Sequence, residues 1–107
     1  MNALTKRFVD DYFNRRREVY DKLYWYKNLP TSKDVADELE TAGNLDKVID
    51  ENTDQYEICY LMREGNEFKV FILDKFGELN LDTFSTLKQA VQKKFEVILQ
   101  AIYSSNR

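Results

Sequence analysis

Apolar and β-branched positions run densest between residues 55 and 82, and that stretch predicts a buried sheet. Residues 55–63 and 67–74 are strand-length runs joined by Glu64, Gly65 and Asn66, a short turn containing a residue suited to positive φ, which predicts a hairpin. A second turn at residues 74–77 leads into residues 78–82, whose strict alternation of polar and apolar positions predicts a third, half-exposed strand. The expected sheet is a three-stranded antiparallel meander. Its second strand is apolar on both faces, with Phe68, Val70 and Ile72 on one side and Phe71 and Leu73 on the other, so both faces need cover.

Helical periodicity occupies the flanks. Residues 3–28 contain neither Gly nor Pro and place Leu4, Phe8, Tyr12, Val19, Leu23 and Tyr26 on one side, widened by Val9, Phe13 and Tyr20, which predicts one long helix. Arg16 falls inside that stripe, with Arg15 and Arg17 beside it. Pro30 ends the helix, because the residue before a proline is pushed out of the α region. Thr31 or Ser32 then caps a second helix reaching about Thr41, with Asp34 in its first turn, Val35, Ala36 and Leu39 on its apolar side, and Gly43 just past its end. Residues 44–50 read as one or two further helical turns with Leu45, Val48 and Ile49 inward. The last helix starts near residues 82–85 and ends by Ser104. Phe84, Leu87, Val91, Phe95, Ile98 and Ile102 form its stripe, and Gln89, Gln92, Lys93, Glu96 and Gln100 its polar face. The fold class is therefore α+β: a long N-terminal helix, short acidic helices, the meander and a C-terminal amphipathic helix, in one domain over residues 1–107.

A chain of 107 residues buries roughly 60 to 70% of the surface it exposes when unfolded, enough to fold without disulfides or metal. The single cysteine, Cys59, excludes an internal disulfide framework, and no long apolar run suggests a signal or a membrane span, so a cytoplasmic protein is expected. Aromatic residues make up 14% of the chain, a share that serves either a core or an interface. Charge changes the picture more. The net charge of −3 conceals an asymmetry: residues 1–29 carry seven Lys/Arg against four Asp/Glu, residues 30–57 two against nine, and residues 58–107 seven against six. An acidic middle disfavours nucleic-acid phosphate and suits a basic partner surface.

Catalytic chemistry finds little to use. Histidine is absent, which removes the commonest general base and metal ligand. Cys59 lies in an apolar strand, the setting of an inert small hydrophobe. Three glycines cannot make a phosphate cradle of the dinucleotide or P-loop kind. Asp50, Asn52 and Asp54 match the first ligand spacings of a calcium loop, but its sixth position is Gln55 instead of Gly and its twelfth is Leu61 instead of Glu. Acidic pairs such as Asp10 with Asp11 and Glu38 with Glu40 read as solvated faces. No enzyme, cofactor or metal site is expected.

The run from Pro30 to Leu39, the turn at Gly43, a short helix from Asn44 and a following hairpin resemble a winged helix-turn-helix. That resemblance implies residues 44–50 as the groove-entering helix and residues 64–67 as the wing. The implied reading helix carries Asp46, Asp50 and Glu51 against Lys47 alone, a sign that DNA repels. The order helix, three strands, helix also resembles a double-stranded-RNA-binding domain in topology. The reading the residues favour is a non-enzymatic protein-binding module: a small inhibitor, an anti-defence or immunity-type protein, or a regulatory adaptor. A winged-helix nucleic-acid regulator is the alternative. Asp34, Asp37, Glu38, Asp46 and Asp50 are expected to face outward toward a basic groove on another protein, with Arg15 and Arg16 as a second contact. A homodimer is expected from the broad first-helix stripe and the two-faced second strand.

Overall fold

The computed structural model describes residues 3–14, 28–53 and 57–105. In chain order they form α1 (Ala3–Asn14), α2 (Ser32–Thr41), a 3-10 helix (Leu45–Val48), β1 (Tyr60–Glu64), β2 (Glu67–Asp74), β3 (Gly77–Phe84) and α3 (Leu87–Ser105). This is the expected α+β class. The continuation of the first helix through residues 15–28, together with Arg15 and Arg16, falls almost wholly outside the described residues.

Local chemistry accounts for the boundaries. Thr31 is the N-cap of α2, its Oγ1 accepting from the Asp34 backbone N–H at 3.1 Å. At the other end Gly43 takes φ +73°, the Gly43 N–H donates to the Glu40 carbonyl and the Asn44 N–H to the Leu39 carbonyl, the two bonds of a Schellman motif. The β1–β2 turn holds Gly65 at φ +62° in its first central position, the place a type II′ hairpin keeps for glycine. In the β2–β3 turn the Asp74 carboxylate accepts from the Phe76 N–H at 2.7 Å.

The strands pair antiparallel in the order β1-β2-β3. β1 begins at Tyr60, later than the apolar run suggested. β3 reaches Phe84 and contains a bulge: Val70 pairs with Asp82 and Phe71 with Asn80, leaving Leu81 between them. α3 lies across one face of the sheet, meeting all three strands, and α1 and α2 pack against each other and against α3. Leu61 and Val70 of the sheet, Phe8 and Tyr12 of α1, Val35, Ala36 and Leu39 of α2, and Val91, Phe95, Ile98 and Ile102 of α3 join one continuous core. Phe95 packs edge-to-face with two α1 rings, at 4.9 Å from Tyr12 and 6.0 Å from Phe8 between centroids.

On the opposite face, Tyr60 stacks on Phe71 at 5.5 Å and the Lys69 ammonium lies over the Phe71 ring. Phe71 is already 1% exposed within a single chain. The chain itself therefore covers this ring, while Leu73 on the same face of β2 is 40% exposed.

Candidate functional site

Two groups of charged residues stand out, one on the surface of α2 and one inside the core. On α2, Val35, Ala36 and Leu39 turn inward, which places Asp34, Asp37 and Glu40 toward solvent. Lys33 reaches Asp37 at 2.8 Å one turn along, and Lys88 from the first turn of α3 bridges Asp37 at 2.7 Å and Glu40 at 2.9 Å. Hydrogen bonds from Lys33 and Lys88 hold the Asp37 carboxyl down at about 2, and the same contacts raise both lysines above their ordinary value. Asp46 and Glu51 are exposed in the segment that follows. The acidic surface is thus partly neutralised where α3 straps it and open at Asp34, Asp46 and Glu51.

Two of the expected surface acids lie elsewhere. Glu38 is 8% exposed, on the flank of α2 nearer the core. Asp50 is 6% exposed and belongs to the second group. Its side chain is an internal acceptor: Oδ2 takes the Leu61 backbone N–H at 2.9 Å and the Lys94 ammonium at 2.7 Å. The Asp50 N–H in turn donates to the Leu61 carbonyl at 2.7 Å. These two backbone-directed bonds fasten the segment after the 3-10 helix along the outer edge of β1. Such a position removes Asp50 from the outward acidic face, because its carboxylate supplies the acceptor that a buried strand edge requires.

Lys94 is fully buried, donates a further bond to the Val48 carbonyl at 3.2 Å, and lies 5.8 Å from the Tyr12 ring centroid. Tyr12 is fully buried as well, and its hydroxyl donates to Glu57 Oε2 at 3.4 Å. Burial alone would lower the lysine, but Tyr12, Glu57 and Asp50 outweigh it and hold Lys94 above its ordinary value, as an ammonium. Cys59 is also fully buried, and burial pushes its thiol up to about 12.

Sequence reasoning missed Lys94, although a signal was there. It falls four residues after Ala90, three after Val91 and four before Ile98, inside the apolar stripe of α3, and an ammonium at that position calls for a buried acid. Lys88 gave no such sign, since a lysine in a first helical turn reads as solvated. In the segment that the winged-helix resemblance implies as the groove-entering helix, the structure holds a 3-10 helix at Leu45–Val48. Its four residues rise about 8 Å, and Val48 at its end is buried. No family model, curated protein or solved structure matches the chain. Among the described residues no helix is long and apolar enough to cross a membrane, and no group of three or more His, Cys, Asp or Glu is placed to hold a metal ion.

Proposed function

We propose that this protein is a non-enzymatic protein-binding module, of the small inhibitor, anti-defence or regulatory-adaptor kind, and that it meets a basic surface through the acidic face of α2 and the segment behind it. The observation that carries this reading is the placement of charge. Asp34, Glu40, Asp46 and Glu51 are exposed, Asp37 is half-exposed, and Lys88 from α3 anchors the helix that presents them. The groups with chemical potential, Cys59 and Lys94, are instead sealed in the core, out of reach of a substrate. Exposed carboxylates of one sign act over distance, accelerating encounter with a cationic partner and adding less to the final affinity.

The test is in-cell cross-linking with the wild-type chain and with the triple variant Asp34→Lys, Asp46→Lys, Glu51→Lys, followed by association rates for any protein that the wild type captures. All three positions are exposed, so the fold is expected to survive with stability changed by about ±0.5 kcal/mol per site. The reading expects the variant to associate more slowly and to lose most of the wild type's salt dependence. Equal rates at low salt would overturn it. Retention of the wild type on DNA that fades with salt would favour a nucleic-acid regulator instead.

A further inference from the structure

We propose that the end of the β2–β3 hairpin is an apolar prong that inserts into a cleft of a partner protein, one with apolar walls and a carboxylate at its mouth. The proposal rests on the protein-binding reading but not on the acidic face of α2.

Apolar exposure is concentrated in one place. Among the described residues the large apolar side chains that stand exposed are Leu73, Phe76, Leu79 and Tyr103, and the first three fall within residues 73–79. Phe76 is 87% exposed at the apex of the turn, between the paired Asp74 and Gly77. Leu79 pairs with Ile72, which packs against the core, so Leu79 faces the helix side of the sheet. Leu73 is the next residue of β2 and faces the other side. Single exposed hydrophobic residues need no explanation, whereas a cluster of them marks an interaction site. With apolar groups at the apex and on both faces, only a concave surface covers all three at once.

The prong is held in shape before anything binds. The Asp74 carboxylate accepts from the Phe76 N–H at 2.7 Å inside the turn, and the ladder closes again at Gly77. A side chain already presented in place loses little freedom on docking. Aromatic rings are enriched at the buried centres of protein interfaces, where one ring filling a pocket carries much of the binding.

Charge selects the occupant. Both acids at this end are engaged within the chain, Asp74 by the turn N–H and Glu78 by Lys69 at 2.8 Å. Lys75 forms no ion pair among the described residues, and its ammonium lies over the Phe76 ring, 5.1 Å from the centroid. A cleft that closes on the ring therefore takes the ammonium out of water as well, which is costly unless an anion meets it. The cleft accordingly needs a carboxylate where Lys75 enters. An anionic lipid surface fits less well, because residues 73–79 carry Asp74 and Glu78 against Lys75 alone, whereas such surfaces recruit clusters of cations. Two prongs of a symmetric dimer would meet convex against convex, with one Lys75 facing the other.

The experiment replaces Phe76 by photoreactive benzoylphenylalanine in the full chain, inside the cells that make it, with the same replacement of Asn66 in the opposite, equally exposed turn as control. The expected result is one protein attached through position 76 and not through position 66, the link mapping to apolar residues beside an Asp or Glu. With that protein purified, Phe76→Ala should bind at least about tenfold more weakly, and Lys75→Glu more weakly than Lys75→Gln. Both positions are exposed, so these variants keep the fold. The α2 triple variant should still cross-link through position 76, which keeps failure of this site distinct from failure of the α2 face. No capture, equal capture through both positions, a link that maps to basic residues, or unchanged affinity of Phe76→Ala would overturn the proposal. So would sedimentation of the wild type with phosphatidylserine-containing vesicles that Phe76→Ala abolishes, for then the occupant is lipid. A dimer mass that Phe76→Ala returns to monomer would make the occupant a second copy and overturn it too.

Discussion

Lys94 sits in the middle of an apolar helix stripe, where an unpaired ammonium would cost several kcal/mol of lost hydration. The residue persists there because Asp50, the Val48 carbonyl and the Tyr12 ring surround it, and because the Asp50 carboxylate has a second duty toward the Leu61 N–H. The pair links three parts of the chain far apart in sequence: the segment after the 3-10 helix, β1 and α3. Lys94→Met leaves a buried carboxylate without its cation, and Asp50→Asn leaves a buried ammonium without its anion, so each should cost about 3 to 5 kcal/mol. The double variant should cost clearly less than the sum, by roughly 1 kcal/mol or more, because the second change removes the group that the first left stranded. Denaturant unfolding of the four proteins measures this. Additive losses would mean that the two residues act separately.

Among the elements, α2, β2 and α3 were legible from periodicity and caps: Thr31, Gly43 and the Leu87-to-Ile102 stripe each found the role their chemistry implies, whereas Phe84, read into that stripe, ends β3 instead. β2 was legible to the residue, since Gly65 and the turn at residues 74–77 bound it on both sides. What pattern could not reveal depended on partners distant in sequence. The bulge at Leu81 hides inside a perfect alternation, and the inward turn of Asp50 depends on a lysine 44 residues away. The α2–α3 strap is of the same kind, and its signature is pH. Lys33 and Lys88 hold Asp37 at about 2, below the ordinary 3.8. Between these values the unfolded chain binds a proton that the folded one does not. The contribution of Asp37 is therefore fully present above about pH 4 and is lost as pH falls toward 2. Asp37→Asn should accordingly be less stable than the wild type at pH 6, with the gap closing over that window and narrowing in high salt, because the pair is exposed and screened. A gap that is constant from pH 6 to pH 2 would mean that the strap contributes nothing.

At the scale of the whole molecule, one sheet is finished on one side and left open on the other. The last helix lies on its inner face with the other two packed behind, the Tyr60–Phe71 stack and Lys69 lie on its outer face, and Asp50 bonds the edge of β1 at Leu61, while on the edge of β3 the Thr83 N–H donates to Asp82 Oδ1 at 2.8 Å. The proposed binding role needs this division, with a core rigid enough to hold its surfaces and surfaces free enough to be used. Amide hydrogen exchange on the free chain tests it most directly, because each edge reports separately. The account predicts that the Leu61 amide exchanges as slowly as the paired amides in the middle of β2, while the outward amides of β3, apart from that of Thr83, which donates to Asp82 Oδ1, exchange close to the rate of an unstructured chain at every protein concentration. A rapidly exchanging Leu61, or β3 amides protected on both sides, would contradict it.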